Sequence, residues 1–281
     1  MKTALVMEGG GMRGLYTAAI LDYFIGTGIE FDALFTVSAS ALFGINLLSK
    51  DRYRTIRYNL NYVNDKRFVN LKNLIKTGNM VDENYTFHVL PLELDPFDNE
   101  KFKQAESDFY VTVTNLETGL AEHFKVQDAH QDVEVFRASS SLPFVSQPVE
   151  IDGQHYLDGG VADSIPYQKA MNLGYDKIVI VLTQPLDYRK SKTNPLLIDL
   201  AYRNYPEFAD RLKNRYLEYN QTLDEVKALE DQGEVFVIRP SRDLNISRME
   251  KDPQRYIYAY KTGLKDIQAN YPDMIDYLKK D

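Results

Sequence analysis

Three short segments of this chain carry residue types that can do chemistry. The first, Glu8-Gly9-Gly10-Gly11-Met12-Arg13-Gly14, follows the apolar run Ala4-Leu5-Val6-Met7 and precedes an amphipathic helical pattern. Strand, glycine loop and helix together build an anion site. Glycine lets the backbone approach a ligand, and the first helical turn leaves N–H groups without intrahelical acceptors. The anion is either a phosphate that stays bound or an oxyanion that exists only during a reaction. The second segment, Thr36-Val37-Ser38-Ala39-Ser40, joins an apolar strand to a helix. A serine there exposes its hydroxyl on a sharp turn, in front of the positive end of the helix dipole. The third, Asp158-Gly159-Gly160, ends another strand. In these roles Ser38 attacks an ester carbonyl and Asp158 takes its proton. The N–H groups of Gly10, Gly11 and their neighbours hold the developing oxyanion. Arg13 reinforces that site or pairs with a carboxylate.

The elements that must position these residues can be read from the apolar pattern. Residues 15–25 read as a helix stopped by Gly26 and Gly28, residues 31–37 as a strand and 39–48 as a second helix. Residues 51–105 are more polar and irregular, with an apolar-rich stretch at 74–92 placed to overhang a site. Strands are predicted at 109–113, 155–157, 177–182 and 235–238, and helices from 132 and over 162–172. From Pro206, the apolar residues Phe208, Leu212, Tyr216, Tyr219, Leu223 and Val226 recur at spacings of three and four, one core-facing stripe on a long helix. Strand alternating with helix predicts an α/β fold. In a parallel sheet the C-terminal strand ends share one edge, where ligands bind, so the three segments are expected to converge there.

Composition narrows the function classes. At 281 residues and 44% apolar, the chain can bury the core of one large α/β domain, with or without an appendage. Its net charge is −8 and it shows no basic cluster, which argues against a nucleic-acid partner. The acidity also weakens adsorption to anionic lipid, while leaving local hydrophobic docking open. With no cysteine, disulfides, thiolate zinc sites and cysteine nucleophiles are excluded. The first residues run directly into a strand and no stretch reaches 18 apolar residues, so a cytoplasmic protein with at most transient peripheral membrane contact is expected.

The order Gly-Gly-Gly-x-Arg-Gly, serine elbow, Asp-Gly-Gly resembles the patatin-like phospholipase family. Ala138-Ser139-Ser140-Ser141-Leu142-Pro143-Phe144 and Tyr156-Leu157-Asp158-Gly159-Gly160-Val161-Ala162-Asp163-Ser164-Ile165-Pro166 add to the likeness. It covers roughly residues 3–185, and the tail is similar to the extension of some bacterial members. The resemblance implies a three-layer α/β/α fold with a mostly parallel central sheet over residues 1–190. A mainly helical C-terminal extension over 191–281 would pack on it. It implies a Ser-Asp dyad, Ser38 and Asp158, acting without histidine on lipid or fatty-acyl esters through an acyl-enzyme. The oxyanion loop maps to Gly9, Gly10, Gly11, Met12, Arg13 and Gly14, with Thr36, Ala39, Ser40, Gly159 and Gly160 supporting elbow and dyad. Neither metal nor cofactor is implied. The family elbow is Gly-x-Ser-x-Gly, and here Thr36 and Ser40 replace both glycines. Two readings therefore stand: an acyl hydrolase, or a catalytically impaired relative that binds lipid or fatty acid.

Rival motifs fit less well. Gly9-x-Gly11-x-x-Gly14 matches the dinucleotide fingerprint, but that chemistry wants an acid at the end of the second strand, about 20 residues on. Asp32 falls near the start of the 31–37 strand instead. No Gly-Lys-Ser/Thr follows the glycines, so the segment is not a P-loop. A Ser-acid-His order fails because none of His88, His123, His130 and His155 follows Asp158. Ser40 is disfavoured as the nucleophile by bulky Leu42 two residues on.

Overall fold

The buried apolar runs form the middle of a sheet with helices on both faces. The structure, a computed structural model, describes residues 1–65, 67 and 70–280; residues 66, 68 and 69 of the 51–105 segment and residue 281 of the tail lie outside it. In chain order the elements are β1 (Thr3–Met7), α1 (Leu15–Thr27), β2 (Ala33–Val37), α2 (Ala39–Ser49), α3 (Arg54–Tyr62) and α4 (Leu71–Thr77). A π-helix (Tyr85–Leu94), α5 (Asn99–Gln104), β3 (Asp108–Asn115), β4 (Ala121–Val126), α6 (Val133–Ser140), β5 (Val149–Ile151) and β6 (Gln154–Asp158) follow. The rest comprises α7 (Tyr167–Asn172), β7 (Lys177–Val181), α8 (Pro195–Ala201), α9 (Pro206–Gln232), β8 (Val235–Ile238) and α10 (Pro253–Lys279).

The strands lie in the order β5-β6-β3-β2-β1-β7-β8, with β4 paired to β3 off this path. From β3 through β8 every neighbour is parallel. These strands are buried on both faces, which is why they read as near-continuous apolar runs. Along β1, Leu5 and Met7 join the core beneath α1, α2 and α10, while Ala4 and Val6 join the core beneath α7 and α9. This is the expected three-layer α/β/α arrangement with a mostly parallel sheet and further C-terminal helices. On α9, Phe208, Leu212, Tyr219 and Val226 are buried, so the stripe faces the core.

Four features differ from the sequence reading. The 51–105 segment is largely helical rather than irregular. The helix expected over 162–172 shrinks to α7, because the chain leaves a 3-10 turn (Gly159–Val161) irregularly and Pro166 sets the start of the helix. Strands β4 and β5 were not anticipated. β6 is antiparallel to β3, so Asp158 does not reach the site edge by the parallel-strand rule. Among the described residues, no helix is long and apolar enough to cross a membrane.

Candidate active site

Ser38 sits between β2 and α2 with φ 58° and ψ −129°. A non-glycine residue there is strained by about 1–3 kcal/mol, so its surroundings must hold it. They do so through hydrogen bonds. The Ser38 N–H donates to Ser139 Oγ (2.8 Å), which in turn donates to the Thr112 carbonyl (2.7 Å). Ser40 Oγ accepts from the Val37 N–H (2.9 Å) and donates toward the carbonyls of Met7 (3.0 Å) and Val37 (2.9 Å). Ser40 is thus committed to fastening the elbow to β1. Thr36 Oγ1 donates to the Tyr110 carbonyl (2.7 Å). Its methyl faces α2 where that helix carries Gly44, and a Cβ at position 44 would lie 3.4 Å from Thr36 Cγ2 and 3.0 Å from Met7 Cε. The room lost at the elbow is regained on the helix.

Asp158 arrives from the opposite direction. β4 covers one edge of β3, so β2 and β6 share the other. Val37 stands opposite Thr112 and Asp158 opposite the next residue, Val113. The two strands therefore meet end to end, and Ser38 Oγ donates to Asp158 Oδ2 at 2.6 Å. The other oxygen, Oδ1, accepts from the Gly160 N–H (2.7 Å), and the Asp158 N–H donates to the Ser141 carbonyl (2.8 Å). Gly159 must be glycine: a Cβ there would lie 2.1 Å from the Thr112 carbonyl oxygen.

The glycine loop passes over Ser38, with the Cβ position of Gly9 only 3.2 Å from Ser38 Cβ. Its amides divide in two. Gly9 N–H donates to the Ser164 carbonyl (3.3 Å), Met12 N–H to that of Arg248 (3.0 Å) and Arg13 N–H to that of Gly10 (3.3 Å). The N–H groups of Gly10 and Gly11 have no acceptor among the described residues. Gly14 packs under Phe43 and beside Ala39, the first residue of α2. Met12 contributes its side chain to the chamber described next, and its amide is spent on Arg248.

Ser38, Gly11, Met12 and Ala39 line a chamber of about 250 Å³ on the α2 side of the sheet. Leu42, Phe43, Leu90, Phe136 and Leu142 make it largely apolar. The π-helix supplies Thr86, Phe87, His88, Leu90, Pro91 and Leu92 of its wall, so about half of the 74–92 stretch borders the chamber. The histidines lie elsewhere in the network. His155 Nδ1 meets Glu117 at 2.9 Å and His123 meets Asp163 at 3.2 Å, while His130 and His88 line the chamber wall. None is bonded to Ser38 or Asp158 among the described residues.

The sequence reading missed Ser139, whose segment Ala138–Phe144 drew attention without a role for that hydroxyl. It also missed a cluster on the α9 side of the loop. Arg13 pairs with no carboxylate among the described residues. It lies among Lys190, Arg215 and Arg248, near Glu8 and Tyr219. Burial, with only partial relief from Glu8, holds its guanidinium below the usual value. The chain has a basic cluster after all, assembled from four separated segments.

The model of a domain of unknown function (DUF6363) matches residues 205–279. YjjU, an uncharacterized protein of Escherichia coli (strain K12), is 29% identical over 194 residues, covering 66% of this chain and 52% of that protein. The chain thus spans about half the length of this curated relative. The crystal structure of VipD from Legionella pneumophila aligns over 98% of this chain and 66% of that one, at 12% identity and a TM-score of 0.45. The model of the patatin-like phospholipases matches residues 5–171, more than half of the chain, and the chain belongs to that family.

Proposed function

We propose that this protein is a serine acyl hydrolase that cleaves lipid or fatty-acyl esters through an acyl-enzyme, with Ser38 as nucleophile and Asp158 as its base. The observation that carries this reading is the 2.6 Å contact from Ser38 Oγ to Asp158 Oδ2 at the mouth of an apolar chamber. Ser38 Oγ attacks the ester carbonyl as its proton passes to Asp158 Oδ2. The oxyanion takes the two uncommitted amides, Gly10 and Gly11; one such donor is typically worth about 3–4 kcal/mol of barrier. Asp158 returns the proton to the leaving alcohol, then draws one from the water that attacks the acyl-enzyme and passes it to Ser38 Oγ as the acid is released. The acyl chain occupies the chamber. Exposed Leu196, Leu197 and Leu200 on α8 suit transient contact with a lipid surface. We read residues 1–190 as the catalytic unit and 191–281 as an extension that adds β8 to its sheet.

The rival reading, lipid binding without turnover, arose from Thr36 and Ser40. Gly44 accommodates the first and the elbow hydrogen bonds employ the second, so no observation favours it. A fluorophosphonate probe tests the proposal. Labelling is expected in the native chain and lost in Ser38→Ala; labelling that persists in the variant overturns the nucleophile. Fatty-acid binding with no hydrolysis of any p-nitrophenyl ester would favour the rival.

A further inference from the structure

We propose that Arg13, Lys190, Arg215 and Arg248 form a binding site for a phosphoryl dianion on the α9 side of the glycine loop, beside Asp158. The four come from four segments: the loop itself, the chain after β7, α9, and the chain after β8. Contacts bring these segments side by side, and the charged groups act on one another electrostatically. The Arg248 carbonyl holds the Met12 N–H at 3.0 Å. Lys190 Nζ lies 4.2 Å from the centre of the Tyr219 ring, and Tyr219 Oη donates to Glu8 Oε1 at 2.6 Å. A terminal nitrogen of Arg215 is 3.2 Å from the Cβ position of Gly160, which itself lies 2.9 Å from Asp158 Oδ1. Thr183 Oγ1 borders the same loop, 2.8 Å from the Cβ position of Gly10.

The charges in this group do not balance. Three guanidinium cations, joined by a fourth charge when Lys190 is protonated, face two carboxylates, Glu8 and Asp158. Both acids are already engaged by uncharged donors: Glu8 by Thr183 N–H and Tyr219 O–H, Asp158 by Ser38 O–H and Gly160 N–H. None of the four cations makes an ion pair among the described residues. Arg13 Nε, Arg215 Nε and Thr183 Oγ1 are buried without hydrogen-bond partners. The four side chains are part-buried, and holding unpaired cations together away from bulk water is costly. Burial, with repulsion from Arg215 and Arg248, pushes the Lys190 amine down to about 6; burial and Arg248 push Arg215 down to about 10. Two negative charges restore neutrality when Lys190 takes up its proton alongside the anion. Guanidinium forks beside an ammonium and a hydroxyl suit the oxygens of a phosphoryl group.

The site has an approach from solvent. Arg215 lines a polar cleft of about 420 Å³ between α7 and α9. The acids of that cleft have partners of their own: Glu218 Oε1 pairs with Arg211 while its Oε2 is buried without a partner, Asp163 pairs with His123, and Glu225 accepts from Tyr167. The phosphoryl group comes either from a lipid phosphomonoester or from free phosphate. The site stands independently of the dyad; only the lipid source rests on the proposed hydrolase.

Calorimetric titration of the full chain with inorganic phosphate, at matched ionic strength, tests the site. Binding is expected in the native chain and in Ser38→Ala, which separates this inference from the hydrolase reading. Lys190→Met and Arg215→Met should each weaken it about tenfold or more, whereas Lys190→Arg and the exposed control Lys261→Met should keep it. No heat up to about 10 mM phosphate, or equal affinity in Lys190→Met and Arg215→Met, overturns the site. Competition between an acylglycerol phosphate and the matching monoacylglycerol identifies the source. A preference for the phosphorylated lipid that disappears in Arg215→Met assigns the site to a headgroup. Phosphate binding without that preference assigns it to free phosphate.

Discussion

The glycine loop divides two regions of opposite character. On the α2 side lies a chamber lined by leucines and phenylalanines, into which Ser38 opens. On the α9 side Arg13, Lys190 and Arg215 gather with Arg248, which also borders the chamber, and none of the four has an ion-pair partner among the described residues. One stretch of backbone thus separates a place that selects by shape from a place that selects by charge. The difference follows from the alternation of β1: Met7 continues the apolar face under α2, and Glu8 turns toward α9. A single residue step changes the solvent that each side of the loop sees.

The chamber side is broken most severely by removing its chemistry. Ser38→Ala should lower kcat/KM on p-nitrophenyl butyrate about 10⁴-fold with an unchanged melting temperature. Asp158→Asn should lose a similar factor, and the double variant no more than the worse single one, because the two act as a unit. Substantial activity in Ser38→Ala would detach the chamber from catalysis.

Selection by shape is sharpened by filling the chamber. Leu42→Trp narrows it and should shift selectivity from long toward short acyl esters about 10- to 100-fold, read as the ratio of kcat/KM values. An unchanged ratio would mean that the acyl chain lies elsewhere.

Selection by charge has a pH signature. Burial and cationic neighbours keep Lys190 neutral above about pH 6, while in the unfolded chain it stays protonated to about 10.4. Between these values the unfolded state binds the extra proton, so this group makes the native state more stable as pH rises. Its protonation below about pH 6 favours an anion. Sulfate, whose charge is constant over this range, should therefore bind several-fold more tightly at pH 5 than at pH 8, read by calorimetry. Lys190→Met should flatten that dependence; an unaltered profile in the variant would remove Lys190 from the site.

The smallest effect lies at the elbow. Thr36→Gly removes the bond to Tyr110 and opens a void, costing about 1–3 kcal/mol on thermal unfolding, with no gain in rate. Gly44→Ala should cost about as much through crowding against Met7 and Thr36. A large rate gain in Thr36→Gly would show the elbow to be impaired.

The parallel strands and their helices were legible because burial on both faces leaves continuous apolar runs. β4 was not: its sequence, Ala-Glu-His-Phe-Lys-Val, belongs to a half-exposed strand. β5 and the direction of β6 had a signal that went unused. Asp152-Gly153 stands between them with φ 50° and 79°, the two positive values of a tight hairpin turn. Read that way, it makes β6 the return strand of a hairpin. Ser38, Asp158 and the glycine loop were legible from residue type and order; that they meet follows from strand pairing, which no local pattern encodes. The cationic cluster was invisible for the same reason: Arg13 stood out only as part of the loop motif, Lys190, Arg215 and Arg248 carried no signal of their own, and only topology unites the four.

The shared edge of β3 makes that strand a ruler. Val37 and Asp158 are seated on consecutive rungs of its ladder, so the gap between hydroxyl and carboxylate is fixed by backbone pairing rather than by side-chain reach. A one-residue slip of β6 would carry the acid about 3.4 Å along the edge and turn it to the other face. The excursion from β3 to β6 can change length in its turns, provided that β4 still pairs with β3, Ser139 and Ser141 still hold the elbow and Asp158, and the last strand docks on the same rung.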